Sequence, residues 1–322
     1  MQAIVGVDVS KKKFDVALLE QEKVRRKVFT YDAQGPQALL AWLSKQGLAV
    51  EGCWVCMEAT GSYYERLAEE LDAAGVQVSV VNPLQVKRYG QSLLLRHKTD
   101  RADAQLIAWF CRDCKPHRWH APAQEVRELQ SLVARLESLV GMRTQELNRR
   151  HEAREPARAS VERMLEVLEE EIARVKKAID EHIDRHPGLR QQAALLKSIP
   201  GVGDGLSAHF MAWLSLERLR SAKQAAAFVG VIPRHHESGS SVHGRAQLSP
   251  LGHRRLRRLL FMPAMSAMRC NEALRQFAER LRTAGKRPIV IVVAVMRKLV
   301  HLMFGVLKSG QPFDLTRALA KG

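Results

Sequence analysis

Four carboxylates in the first third of the chain stand where metal ligands are expected. Asp8 ends the apolar run Ile4-Val5-Gly6-Val7-Asp8, and Glu58 ends Val55-Cys56-Met57-Glu58 before the turn signal Ala59-Thr60-Gly61. An ionised carboxylate at the end of an apolar strand is costly unless it is solvated, paired or bound to a cation. If the two strands are neighbours, both side chains emerge at one sheet edge. Asp100 and Asp103, at i and i+3, share one face of a predicted helix. Such a group of oxygen donors suits Mg²⁺, and two ions about 3.5–4 Å apart clamp the attacking and leaving oxygens of a phosphodiester displacement. Taken singly, each acid also has a plain structural use. Asp100 is placed to cap a helix, Asp103 to meet a helix dipole, and Asp8 to cap a turn before Ser10. Their grouping on two strands and one helix of a basic chain points to a metal site.

The charge of the chain agrees with a phosphate target. Lys and Arg number 51 against 34 Asp and Glu, for a formal net charge of +17 and a pI near 10.0. That excess favours polyanions, nucleic acid first and an anionic membrane surface second. The N-terminus has no basic region or cleavage site of the secretory kind, and the longest apolar run, 288–295, is short for a bilayer and is followed by Arg297 and Lys298. A soluble, cytosolic protein is expected. The five cysteines include two C-x-x-C pairs, but Cys53 and Cys56 lie on a predicted strand, where residues three apart face opposite ways. Reduced structural thiols are the default.

The elements that must position these acids follow from periodicity. An apolar run predicts a strand over 3–9, alternation predicts strands over 13–20 and 23–30 as the next two of a meander, and Gly35-Pro36 opens a helix to about Lys45. A short buried strand at 52–57, a helix at 62–73 and a strand at 76–81, ended by Asn82-Pro83, come next. Helices at about 84–95 and 100–113 complete the order of a ribonuclease-H-like α/β domain. From Val126 the text turns helical, with an apolar stripe at Leu129, Leu132, Val133, Leu136 and Leu139. Pro156 breaks it, and a second stripe runs Leu165, Leu168, Ile172, Val175, Ile179, Ile183. This is an antiparallel helical pair or coiled coil, a form that often dimerises. Pro187-Gly188 marks the next boundary, and the last third is helical and basic, with 13 Lys and Arg against two acids over residues 245–300.

Three features of that last third bear on nucleic acid. Pro200-Gly201-Val202-Gly203-Asp204-Gly205 has the form of a helix-hairpin-helix turn, in which glycines let backbone amides approach a phosphate. An ordinary tight turn between packed helices has the same text. Residues 228–244 end in a Ser- and Gly-rich loop, where Ser238, Ser240 and Ser241 are candidate nucleophiles and His235 or His236 candidate bases. Arg254, Arg255, Arg257 and Arg258 share a short helix with Leu256, Leu259 and Leu260, which buries one face and offers phosphates the other. An actin-like ATPase reading of Gly6-Val7-Asp8-Val9-Ser10 fails, because it needs a second glycine-rich phosphate loop and the only glycine-dense stretch downstream lies between helices.

These motifs together resemble a transposase of the insertion-sequence one-ten family, the DEDD recombinases. The likeness rests on Gly6-Val7-Asp8-Val9-Ser10, Met57-Glu58-Ala59-Thr60-Gly61, Val81-Asn82-Pro83 and the stretch from Lys98 to Ala104. In the C-terminal part it rests on Ile199 to Gly203, Phe228 to Arg234 and Glu237 to Ser241. The resemblance implies a RuvC-like catalytic domain at 1–120, a two-helix linker at 121–187 and a mainly helical, basic transposase domain at 188–322. It implies that Asp8, Glu58, Asp100 and Asp103 hold Mg²⁺ and that Ser238 is the nucleophile, forming a phosphoserine link to DNA. Donor and target DNA, a non-coding bridge RNA and a homo-oligomer, a dimer or a tetramer in synapsis, are the implied partners, with no membrane. In that family the serine and the tetrad are thought to meet across protomers, in the bacterial cytoplasm at the nucleoid. Lys98, Gly201, Gly203, Arg234, Arg254, Arg255, Arg257 and Arg258 are the expected nucleic-acid contacts. His243 departs from the pattern, which leads one to expect Arg or Lys there, and would make a local phosphate contact depend on pH.

Overall fold

The computed structural model describes residues 3–20, 23–61, 63–94, 100–214, 216, 219–234, 237–238, 242–243, 247–248 and 251–320. The chain forms two compact units, Met1–Pro122 and Ala123–Gly322.

The first unit is built on a mixed sheet. Strands β1 (Ala3–Val9), β2 (Lys13–Glu20) and β3 (Lys23–Thr30) form an antiparallel meander. Helix α1 (Gly35–Lys45), strand β4 (Cys53–Glu58), helix α2 (Tyr63–Ala73) and strand β5 (Gln77–Val81) follow, then helices α3 (Pro83–Ser92) and α4 (Asp100–Cys114). The spatial order is β3-β2-β1-β4-β5, with β4 parallel to both β1 and β5. This is the ribonuclease-H-like, RuvC-type arrangement, with the apolar strands β1 and β4 at its centre.

Period-two alternation divides the sheet into two faces. Val5, Val7, Val9, Cys53, Val55 and Met57 pack with Leu39 and Leu43 of α1 and with Leu67 and Leu71 of α2. On the opposite face Trp54 and Cys56 pack with Val86 of α3 and with Ile107, Phe110 and Cys111 of α4. Cys53 and Cys56 thus lie on opposite faces, as a strand requires. All five cysteines are free, and a hydrogen bond with Cys111, together with burial, pushes the Cys56 thiol pKa up. A protonated buried thiol is a core residue rather than a metal ligand.

Gly6 sets the distance between β1 and α4. A Cβ built there stands 2.1 Å from the Ala104 carbonyl oxygen, 2.4 Å from the Ala108 nitrogen and 2.8 Å from the Ala108 Cβ. Only a residue without a side chain lets the helix backbone come this close, and alanines at 104 and 108 keep the helix side equally shallow.

The second unit begins with the helical pair α5 (Gln124–Glu152) and α6 (Ala157–Arg185). Their apolar stripes do not end at the pair: Leu129, Val133, Ile172 and Ile183 belong to one core with the helices that follow. Those are α7 (Pro187–Lys197), α8 (Asp204–Trp213), α9 (Ala222–Val229), α10 (Arg254–Leu259), α11 (Phe261–Cys270), α12 (Glu272–Thr283), α13 (Pro288–Ser309) and α14 (Leu315–Ala320). Between α9 and α10 lie four two-residue strands, β6 (Pro233–Arg234), β7 (Glu237–Ser238), β8 (Val242–His243) and β9 (Gln247–Leu248), paired β6 with β9 and β7 with β8.

Helix α13 corrects the expectation of a short apolar run at 288–295. It extends through Arg297 and Lys298 to 22 residues, and by length and composition it is apolar enough to cross a membrane, with a mean hydropathy of 2.1 over an 18-residue window. Half of that window is buried, and Val295, Leu299, Val300 and Met303 are fully enclosed in the core of the second unit. Each such side chain contributes about 1.5–3 kcal/mol by leaving water.

The close approach at Gly6 generates a prediction. Gly6→Ala inserts a methyl group into helix backbone and is expected to destabilise the first unit by about 1–3 kcal/mol or more. Gly52→Ala, where nothing lies within 4 Å of the new Cβ, is the control and is expected to be near neutral. Denaturant unfolding of the full chain followed through Trp54 would measure both, and a Gly6→Ala protein as stable as the Gly52→Ala one would contradict the account.

Candidate active site

The acids of the first unit converge because of strand register and the Gly6 contact. In the parallel pair β1–β4, Val7 is opposite Met57. Asp8 and Glu58 each follow by one residue, so both turn to the face that α4 covers, at the carboxyl ends of adjacent strands. Asp103 precedes Ala104, whose carbonyl lies against Gly6, so it stands in the first turn of α4 over the same strand ends. Asp8, Glu58 and Asp103 are all partly exposed, which leaves them open to solvent and substrate. Asp100 is the first residue of α4, three residues earlier in the same turn. Lys98 lies outside the described residues.

A further carboxylate belongs to this face. Asp15 on β2 is directly opposite Asp8 on β1 and is only 5% exposed. Like charges opposite one another on a sheet repel. The Lys13 ammonium, 3.0 Å from Asp15 Oδ2 on the same face of β2, offsets part of that cost. Residue-by-residue reading passes over Asp15, since one acid in an alternating strand looks like an ordinary polar-face residue; the signal was that Asp15 faces the helix side of a buried strand. Beside it a groove of about 490 Å³ is lined by Asp15, Arg26, Lys27 and Ala104. Arg26 also donates to Gln105 of α4, joining the edge strand β3 to the helix. Every donor in this group is a carboxylate oxygen, a donor set that fits Mg²⁺ or Mn²⁺ and disfavours zinc.

In the second unit the described residues divide the expected nucleic-acid contacts into engaged and open ones. Gly201 has a positive φ of 100°, and a Cβ there would meet the Ala267 Cβ of α11 at 2.6 Å. Its glycine is therefore demanded by internal packing. Buried Asn271, which caps α12, donates through Nδ2 to the Pro200 carbonyl at 3.4 Å and ties the same turn to the α11–α12 joint. Gly203, by contrast, is exposed at the start of α8 with nothing within 4 Å of its missing Cβ, so internal packing does not demand a glycine there. Ser238 lies on β7 opposite Val242, and Glu237 lies opposite His243. Arg234 pairs with Gln247 through β6 and β9. Residues 235–236 and 239–241, with His235, His236, Ser240 and Ser241, lie outside the described residues.

Known proteins resemble this chain over most of its length. The IS110 DEDD model, described as "Transposase", matches residues 5–153, and the model described as "Transposase IS116/IS110/IS902 family" matches residues 193–279. A pilin gene-inverting protein of Moraxella bovis is 30% identical over 312 residues, which span 96% of this chain and 97% of that protein. The chain belongs to the IS110 family of DEDD transposases. An insertion element IS110 43.6 kDa protein of Streptomyces coelicolor is 26% identical over 152 residues, covering 47% of this chain and 36% of that one. Among solved structures, T. thermophilus RuvC in complex with a Holliday junction substrate aligns with 37% of this chain and all of that one, at 17% identity and a TM-score of 0.26.

A transposase is an enzyme that acts on DNA, and helix α10 of this one carries four arginines. Its four arginines are not equivalent. Arg255 Nη1 lies 2.7 Å from Glu137 Oε2 of α5, and the same carboxylate lies 3.5 Å from Nε2 of buried His209. Arg257 donates to the Gly230 carbonyl at 3.3 Å and to the Leu251 carbonyl at 3.4 Å. Arg254 and Arg258 are exposed. His253 caps the helix by accepting from the Leu256 amide at 3.2 Å, and it packs against Trp213 and Phe228. Burial and the nearby Arg255 lower its pKa and keep it neutral, as a capping acceptor must be.

These differences separate arginines with internal partners from exposed ones. Arg255→Ala strands the Glu137 carboxylate and is expected to cost about 1–2 kcal/mol of stability, a buried-pair penalty reduced because the guanidinium is largely exposed. Arg254→Ala and Arg258→Ala are expected to leave stability unchanged, to weaken binding to any duplex alike, and to lower the slope of log affinity against log salt by about one each. Thermal unfolding and salt-titrated DNA binding check both. Equal stability losses at all four arginines would refute the division.

Proposed function

We propose that this transposase is an RNA-guided, site-specific DNA recombinase that moves its own insertion sequence, using a metal-dependent carboxylate centre and a serine nucleophile. The observation that carries the reading is the convergence of Asp8, Glu58 and the first turn of α4 on one sheet edge, imposed by the Gly6 contact.

Asp8, Glu58, Asp100 and Asp103 would hold Mg²⁺, with Asp15 beside them setting the local negative charge. When bound, the ion supplies Lewis-acid polarisation of the scissile phosphate and neutralises charge that develops on its oxygens. Ser238 attacks phosphorus: the Oγ–P bond forms, the P–O3′ bond breaks, the hydroxyl proton passes to a base, and the freed 3′-oxygen takes up a proton. Religation is the reverse attack by a 3′-hydroxyl, which releases the serine. Because the phosphoserine keeps the energy of the broken bond, exchange of DNA ends needs no external cofactor for rejoining.

The partners follow from the family and from charge. Donor and target DNA meet the exposed cations Arg254 and Arg258, the open backbone at Gly203 and Arg234. Sequence choice is delegated to base pairing by a bridge RNA, a division of labour that suits a protein whose cations are spread over many elements. A homo-oligomer on synapsed DNAs is supported by exposed apolar side chains on the α5–α6 pair, Met142, Met164 and Val167. The working compartment is the cytoplasm, at the nucleoid.

Ser238→Ala is expected to lower recombination by at least about a hundredfold and to abolish a denaturation-resistant protein–DNA adduct, while DNA binding persists. Asp8→Ala is expected to lose recombination as well. Full recombination by Ser238→Ala would overturn the covalent mechanism. DNA cleavage that depends on Asp8, with no adduct in any variant, would identify a RuvC-like endonuclease instead. Sequencing RNA that co-purifies with the protein tests the guide: absence of a structured RNA from the element's own ends would remove that part of the reading.

A further inference from the structure

We propose that Glu128, His182 and His186 form a second metal site, separate in donor chemistry from the carboxylate centre and selective for a borderline transition-metal ion such as Zn²⁺. Glu128 lies near the start of α5, and His182 and His186 lie at i and i+4 at the end of α6. Antiparallel packing brings these two ends together. One ligand atom from each of the three side chains lies within 4.8 Å of the others.

Hydrogen bonds set which nitrogens are available. His182 Nε2 is 2.8 Å from the Glu125 carbonyl oxygen, and His186 Nδ1 is 2.8 Å from the His182 carbonyl oxygen. A carbonyl only accepts, so each of these nitrogens carries the hydrogen. In the neutral rings the lone pairs then reside on His182 Nδ1 and His186 Nε2. Metal-bound histidines characteristically donate their second N–H to a carbonyl or carboxylate in this way, which fixes tautomer and ring orientation before the ion arrives. Two imidazoles are aligned like this here, from two carbonyls on two helices.

The remaining geometry fits. His182 Nδ1 is 3.7 Å from Glu128 Oε2. Ligand atoms around a tetrahedral zinc with bonds of about 2.0–2.1 Å are about 3.4 Å apart. Glu128 is exposed and His186 half-buried, so these two side chains have room to turn and close separations that reach up to 4.8 Å, and the ion has a route in. His182 is only 6% exposed and would shield the ion from water on the core side. Two imidazole nitrogens and one carboxylate oxygen favour Zn²⁺, Co²⁺ or Ni²⁺ over Mg²⁺, and three protein ligands leave a fourth position for water. His186 also stands at the joint between α6 and α7, so an ion here would tie the start of α5, the end of α6 and that joint together.

The test uses the full chain with Zn²⁺ and Co²⁺ as probes, in wild type and in Glu128→Gln, His186→Gln and Asp103→Asn. Zinc affinity is read by competition with a chelating dye, ligand type by the cobalt absorption spectrum, and folding by circular dichroism. We expect one zinc per chain in wild type and in Asp103→Asn. We expect affinity at least about tenfold weaker in Glu128→Gln and His186→Gln, both folded as wild type. The cobalt spectrum should be that of nitrogen and oxygen ligands. Wild-type affinity in both Glu128→Gln and His186→Gln, failure of the wild type to bind zinc, or a cobalt–thiolate charge-transfer band would overturn the proposal.

Discussion

The contact between Gly6 and the backbone of α4 is the constraint on which the first unit depends. A central strand without a side chain at residue 6 meets a helix that presents alanines at 104 and 108, and the two backbones approach until a single added carbon would collide. Helix α4 then cannot slide along the sheet without losing that fit. Its first turn is held over the carboxyl ends of β1 and β4, and its middle presses Ile107 and Cys111 onto Trp54 and Cys56. The acids gather there as a consequence of packing, and the apolar contacts behind them offset the cost of holding like charges together.

Electrostatics gives the arrangement its direction. Opposed carboxylates on neighbouring strands are unfavourable alone. They become favourable when cations are near, and this chain supplies them at two ranges. Lys13 beside Asp15 acts at contact distance. The net charge of +17 acts over the whole molecule and draws in phosphates, whose own charge a bound divalent ion can bridge to the acids. A surplus of arginine is nevertheless not a map of the DNA-binding surface. On α10, Arg255 and Arg257 hold the second unit together, and Arg254 and Arg258 remain for a ligand.

Much of this was legible in the residues. Strands β1 and β4 are short apolar runs, β2 and β3 alternate, and the set is punctuated by Gly35-Pro36, Gly61 and Asn82-Pro83, so the order of elements along the chain, and with it the fold class of the first unit, could be read before any coordinates. The common face of Asp8 and Glu58 also followed from the two-residue period. What could not be read were contacts between residues far apart in sequence. Asp15 looks like any polar residue of an alternating strand until its register opposite Asp8 is known. Gly201 looks like a phosphate-binding glycine until Ala267 is found against it. The 288–295 run looks too short to be a long apolar helix because Arg297 and Lys298 follow it, yet one helical face continues to Leu307 inside the core. His182 and His186 sit among the polar residues at the end of a long helix, and the carbonyls that orient their rings are found only in the folded helices.

The central claim is that the ends of β1 and β4 and the first turn of α4 together form one divalent-metal centre. Its most direct test is to let the ion mark its own position. Fe²⁺ substituted for Mg²⁺ in the folded chain, with ascorbate and peroxide, generates hydroxyl radicals that cut the backbone close to the bound ion. In Glu128→Gln, used so that the second histidine site does not contribute, the account expects cuts clustered near Asp8, near Glu58 and in the 100–103 turn, all suppressed by excess Mg²⁺. Cuts that leave these three segments intact, or that appear at only one of them, would contradict it.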